Sequence, residues 1–142
     1  MLRIHSPLFA MLLFAAAGAT HAAEPPGEKW HRDCNSAFVE SQTQGRPILF
    51  FVTMDHCYYC EKMCRETYSD NQLLEDIEHD YVLASIDRER CPRLVSKLNV
   101  RVFPTTVIMG PDETVIDSMT GFVGPDQLRS RLKVAEGKIA RR

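Results

Sequence analysis

Two cysteines, Cys57 and Cys60, stand two residues apart in the run Cys57-Tyr58-Tyr59-Cys60. They follow an apolar stretch, Ile48 to Val52, and precede a helix-like one. One turn of helix brings such a pair of sulfurs close enough to form and break a disulfide while the rest of the fold stays still. The first thiol then lies at a helix N-terminus, where free N–H groups and the helix dipole favour thiolate over thiol. The chemistry these residues propose is thiol–disulfide exchange. Two other readings of the same sulfurs stay open: a static structural disulfide, or a soft-metal site for Zn²⁺ or Cu⁺ built from Cys57, Cys60 and Cys64 with His56 adjacent. A c-type haem is excluded, because Glu61 stands where that motif requires His.

The chain is 142 residues long, which allows one domain. Arg3 and His5 open a weakly basic start, Leu8 to Ala17 is apolar, and Thr20-His21-Ala22 offers small residues before a break. This pattern predicts a signal peptide over residues 1–22, cleaved after Ala22 or Ala23, and hence a periplasmic or secreted protein. The alternative, an uncleaved anchor, meets an apolar run shorter than the roughly 20 residues of a comfortable span. No Cys follows that run to carry a lipid. The net charge of −2 gives no electrostatic case for nucleic acid. Five cysteines in an exported chain imply an oxidising compartment, and their odd number leaves at least one unpaired within the chain.

The elements that must position the two thiols follow from composition. Residues 23–32, with Pro25-Pro26-Gly27, read as a flexible lead-in, and an edge strand around Lys29 to Arg32 has only a poor signal. Asp33 is the expected N-cap of a first helix running to Gly45. Ile48 to Val52 reads as a strand buried on both faces, as in a parallel sheet. Cys57 to about Thr67 is helix-like, and Ser69 or Asp70 caps a second short helix. Tyr81 to Asp87 is another buried strand, Pro92 to Leu98 a short helix, and Thr105 to Met109 a β-branched strand. Gly110 to Glu113 turns the chain into a hairpin strand over Thr114 to Asp117. Pro125 opens a last helix, with Gly137 as its stop. The domain so outlined covers residues 33–137, followed by a solvated basic tail at 138–142 with Lys138, Arg141 and Arg142. The alternation argues for an α/β fold with a parallel core, crossover helices and an antiparallel edge.

Four features together make the family resemblance. They are Gly45-Arg46-Pro47 leading into an apolar strand, the Cys57-x-x-Cys60 motif, Glu66 to Asp70 with its following helix, and Val102-Phe103-Pro104-Thr105-Thr106. The chain resembles the thioredoxin superfamily, in particular small exported thioredoxin-like proteins and the periplasmic C-terminal domain of the transmembrane thiol–disulfide interchange reductase. The likeness covers about Trp30 to Lys133. It implies a thioredoxin fold, a central mixed sheet of four to five strands flanked by helices. It also implies a cis peptide bond before Pro104, which presents the Phe103 backbone to an extended substrate as a strand adds to an edge.

Within that resemblance, Cys57 is the attacking nucleophile and Cys60 the resolving thiol. Tyr58, Tyr59, Phe103 and Pro104 are the substrate-binding residues. Two departures stand out. Thioredoxins bury an acid on the strand before the motif, and Phe51 occupies that position; the lysine that often accompanies it maps to the apolar region around Leu83. The usual Trp before the motif is replaced by His56, which could assist the thiolate while Asp55 and Glu61 oppose it. The fold brings Cys34 and Cys91 to neighbouring elements at one sheet edge, so a structural Cys34–Cys91 disulfide is expected. Cys64 is then a small buried hydrophobe, a partner for Cys91, or a third redox thiol.

The expected function is disulfide exchange with other exported proteins, more reducing than oxidising and with no cofactor; it either receives electrons from a membrane thiol–disulfide reductase or passes oxidising equivalents onward. No dimerisation segment is visible, so a monomer is expected. The competing reading beside the metal site is a non-catalytic docking module that keeps the fold.

Overall fold

Every residue from Ile48 to Thr53 is buried, and the alternation of their side chains divides the core in two. Leu49 and Phe51 point to one face of the sheet, where they meet Trp30, Met63, Tyr68, Ile77 and Leu128. Ile48, Phe50 and Val52 point to the other, against Ala37, Leu94, Val95 and Cys91. A period of two in a strand covered on both sides requires apolar residues at every position, which is what this run supplies.

The computed structural model describes residues 23–25 and 27–141. The expected signal peptide over 1–22 lies outside them, as does Arg142 of the basic tail. The elements in order are β1 (Trp30–His31), α1 (Ser36–Gln44), β2 (Ile48–Thr53), α2 (Tyr58–Glu66), α3 (Asn71–Asp80), β3 (Val82–Asp87), α4 (Pro92–Lys97), β4 (Thr105–Met109), β5 (Val115–Thr120) and α5 (Pro125–Ile139). They build one five-stranded sheet in the order β1-β3-β2-β4-β5. The β1, β3 and β2 strands are parallel, and β4 and β5 join antiparallel. This is the mixed, helix-flanked sheet that the sequence predicts. Among the described residues no helix is long and apolar enough to cross a membrane.

Four boundaries differ from expectation, each for a local reason. The segment read as a lead-in carries β1, whose Trp30 is buried and meets the Tyr68 ring edge-on at 4.9 Å. Two residues show no alternation, so only the β3 edge they pair with reveals them as a strand. Asp33 lies two residues before the helix cap, which is Asn35; its Oδ1 still accepts from the N–H groups of Asn35 and Ser36 at 2.9 and 2.8 Å. The hairpin strand runs on through Ser118 to Thr120, because Ser118 and Thr120 face Val107 and Thr105 across the ladder despite their polarity. Gly137 does not stop α5: Ala140 still donates to Glu136 O at 2.9 Å, and Ile139 packs on the core.

Asp70 caps α3, its Oδ1 accepting from Leu73 N–H at 2.8 Å while also pairing with Arg129 of α5. It thus ties the α2–α3 corner to the last helix. Asp70→Ala is expected to lower unfolding stability by about 1 to 2 kcal/mol, read as a shifted urea midpoint with an unchanged slope.

Candidate active site

The chain leaves β2 at Thr53 and turns through Met54, Asp55 and His56 before α2 begins. His56 takes a left-handed φ of 55°, a conformation His tolerates better than most side chains. The turn delivers Cys57 to the N-cap of α2 in extended conformation, with its Sγ accepting from the Cys60 N–H at 3.1 Å. Cys57 O accepts from Glu61 N–H at 3.1 Å and so starts the helix. Cys57 and Cys60 are joined as a disulfide, their Cα atoms 5.2 Å apart. The two sulfurs differ in access. Cys57 is half-buried at the helix mouth, whereas Cys60 is sealed inside the core. A thiolate at Cys57 would keep the Cys60 N–H as its donor and the positive end of the α2 dipole behind it.

Tyr58 and Tyr59 both face solvent, at 65% and 55% exposure, with their rings edge to face at 5.3 Å. Val52 lies opposite Thr105 in the antiparallel ladder, so the start of β4 sits beside the end of β2. The Cys57 turn and the Phe103–Pro104 segment therefore share one end of the sheet. The Phe103–Pro104 peptide is cis; Pro104 is buried, and Phe103 is half-buried against both halves of the core. The neighbours of Phe103 are pinned: Thr105 Oγ1 donates to Val102 O at 2.7 Å, and Gly121 N–H to Pro104 O at 2.7 Å. Phe103 itself makes no backbone hydrogen bond among the described residues. Its N–H and C=O remain open at the end of the sheet that carries the disulfide, as an edge that an extended peptide could pair with.

The sequence pattern of the thioredoxin-like domain family matches residues 34–136, which spans both the paired cysteines and Pro104. The chain belongs to that family. Among solved structures, this thioredoxin-like protein is similar to a thioredoxin from Thermus thermophilus, at 20% identity and TM-score 0.66, over 75% of this chain and 86% of that one. It is also similar to the DsbH oxidoreductase, at 18% identity and TM-score 0.64, over 78% and 85% of the two chains. Spinach chloroplast thioredoxin f gives 21% identity and TM-score 0.63, over 76% and 94%. A comparison with curated proteins finds no match. At these identities the likeness is one of fold.

The two departures of this thioredoxin-like protein are visible in its packing. Phe51 is fully buried between Ser85 and Thr106 on the flanking strands, with its ring 4.8 Å from that of Tyr68. Leu83 is likewise in the core. The volume a buried acid and lysine would fill is apolar here, so no side chain at these two positions can take a proton from Cys60. Tyr68 spends its hydroxyl on Thr106 Oγ1 at 3.1 Å. Of the charged residues flanking the motif, His56 is exposed, Asp55 half-buried, and Glu61 is paired with Arg65 at 3.6 Å.

Cys34 and Cys91 form a second disulfide, which joins the approach to α1 to the cap of α4. Cys64 is the free cysteine, buried one turn beyond Cys60. Among the described residues no three His, Cys, Asp or Glu side chains converge as a metal site. Burial pushes the Cys64 thiol up to about 12. Burial also raises the Tyr68 and Tyr81 hydroxyls above their usual range. These groups stay protonated in the folded chain after the unfolded chain has released their protons. The folded state then binds more protons, so their contribution is whole below about pH 9 and is lost progressively as the pH climbs toward about 12. The urea midpoint is expected to fall steadily above about pH 9, and a flat profile would contradict this account. Iodoacetamide at pH 8 is expected to leave Cys64 unlabelled until the chain is unfolded.

One residue at this end of the sheet escapes a reading from sequence alone. Arg88 follows β3 directly; its N–H donates to Thr53 O at 3.0 Å, and its guanidinium lies 5.8 Å from the Phe103 ring centre. Fourteen residues lie between Arg88 and Phe103, and no local pattern links them. The only available signal was that a strand neighbouring β2 must end where β2 ends.

Proposed function

We propose that this protein is an exported thiol–disulfide oxidoreductase that reduces disulfides in other exported proteins. The observation that carries this reading is the asymmetry of the Cys57–Cys60 pair: an accessible sulfur at a helix N-terminus bonded to a sealed one a turn deeper. In the reduced protein, the Cys57 thiolate attacks one sulfur of a substrate disulfide and expels the other as a thiolate. The Cys60 sulfur then attacks Cys57 Sγ, closes the internal disulfide and expels the second substrate sulfur. Two electrons pass from the dithiol to the substrate, and the Cys60 proton leaves with the departing sulfur. With Phe51 and Leu83 in place of a buried acid and lysine, that transfer runs through water or through the substrate's own groups.

Export is the reading of the amino-terminal pattern, and the Cys34–Cys91 disulfide is consistent with an oxidising compartment. A membrane thiol–disulfide reductase would restore the dithiol by the same exchange run in reverse. The preference for reduction rests on the Tyr58-Tyr59 pair, since strongly oxidising relatives carry a thiolate-stabilising His between the cysteines.

Equilibration with glutathione tests the reading. The Cys57–Cys60 pair, identified by differential alkylation, is expected to titrate as a reversible two-electron couple between about −180 and −280 mV. A pair that resists reduction below about −300 mV is a structural disulfide, and the reading is then wrong.

A further inference from the structure

We infer that the substrate segment taken beside Cys57 is acidic: a disulfide-bearing polypeptide with carboxylates within a few residues of its reactive cysteine. This rests on the oxidoreductase reading and narrows it. A groove of about 550 Å³ opens next to the Phe103 edge, its walls including Arg88, Glu89, Val95, Asn99, Arg101 and Phe103. Phe103 is both a wall of this groove and an open backbone position at the disulfide end of the sheet, so the groove adjoins the edge where a strand would pair.

The charged walls of the groove are Arg88, Glu89 and Arg101, while Arg90, Arg93 and Lys97 line the neighbouring hollow by Cys34 and Cys91, so the whole segment is basic. Between residues 88 and 101 five cations, Arg88, Arg90, Arg93, Lys97 and Arg101, stand against the single anion Glu89. The chain as a whole carries −2, so this patch runs against the overall balance. Glu89 sits 3.5 Å from Arg88, and Lys97 is spent on Glu113 at 2.6 Å. Among the described residues Arg90, Arg93 and Arg101 carry no ion pair. Arg101 is exposed at the groove mouth, and the Arg88 guanidinium is held over the Phe103 ring.

The turn that carries Arg88 and Arg90 has an ordered backbone. Asp87 Oδ1 accepts from the N–H groups of Glu89 and Arg90 at 2.9 and 3.0 Å, and Cys91 N–H donates to Asp87 O at 3.0 Å. A guanidinium presents a planar fork that matches a carboxylate, and a fixed one loses less freedom on binding. Arginines at the rim of a docking edge act chiefly on encounter rate and partner choice. A neutral substrate gains nothing from them, and a basic one is repelled.

The test is a competition among peptides of equal length with one disulfide, whose flanks carry Asp and Glu, Asn and Gln, or Lys. The reduced full chain is expected to reduce the acidic peptide about tenfold faster than the neutral one at low salt, with the Lys peptide slowest. The preference should collapse toward unity near half-molar salt. Arg101→Glu, and separately Arg88→Glu, should lower the acidic-to-basic rate ratio, and the double variant should invert it. Equal rates for the three peptides, or a preference that survives high salt or the double reversal, overturns the inference. Dithiodipyridine, a neutral disulfide, separates the two levels of the reading. If it is reduced while peptide charge makes no difference, only the acidic-substrate inference fails. If no disulfide is reduced at all, the oxidoreductase reading fails and this inference falls with it.

Discussion

Cys57→Ser is expected to bring catalysed disulfide reduction to the background rate, a loss on the order of a thousandfold or more. Cys60→Ser should lose steady-state turnover to a similar degree yet keep the first step. The difference follows from access. Cys57 is the sulfur an incoming disulfide can reach, and its hydroxyl replacement cannot form a mixed disulfide. Cys60 is fully buried, so it reacts only with the sulfur already next to it. A Cys60→Ser protein should therefore accumulate covalent adducts with its substrates, visible as higher-mass bands that vanish on reduction. Cys57→Ser should accumulate none. Adducts on Cys60 in the Cys57→Ser protein would reverse the assignment, and full activity in both variants would remove the pair from the chemistry. The metal-site alternative predicts a different outcome, because each substitution would release metal in proportion rather than trap a partner.

How far the fold can be read from composition depends on whether an element is specified locally. The β2 strand is: Ile48 to Val52 is an unbroken apolar run of strand length bounded by Pro47, as a strand covered on both faces requires. The α2 helix and its cap are local as well, since Cys57 and Cys60 must share a turn. Pro104 is readable because an apolar-Pro-Thr triplet ahead of a β-branched run has few other uses. The β1 strand is not local. Trp30 and His31 become a strand only through their pairing with Leu83 and Ala84. The last turn of α5 is decided by Ile139 reaching the core across Gly137, a tertiary contact that overrides a local stop signal. At the site, the motif cysteines and Phe103 carry their own signals. The groove does not, because Arg88 and Arg101 flank a whole helix and meet only when β3 and β4 have taken their places around β2. Cys64 is intermediate: its spacing puts it on the helix that bears the motif, but only packing against the core shows it to be buried and so weakly ionisable.

The larger stability effect belongs to the other disulfide. Cys34 and Cys91 are 57 residues apart, whereas Cys57 and Cys60 are separated by three. Cross-linking restricts the unfolded chain in proportion to the logarithm of the loop it closes. The long loop is therefore worth about 4 kcal/mol and the short one about 2. The Cys34→Ala/Cys91→Ala protein also loses two sulfur atoms at the cluster that holds Phe38, Phe50 and Leu94 on the α1–α4 face, which adds to the entropic loss. A melting temperature lower by about 15 °C is expected for that variant, against half of that or less for Cys57→Ala/Cys60→Ala. The bridge holds the start of α1 against the start of α4, on the face of the sheet opposite α2. Its removal should thus lower stability while leaving adduct formation at Cys57 intact at temperatures where the chain is still folded. Equal melting temperatures for the two double variants would show that loop closure is not what the Cys34–Cys91 bridge contributes. Loss of adduct formation in a folded Cys34→Ala/Cys91→Ala protein would mean that the two disulfides act as one device rather than as separate scaffold and reactive parts.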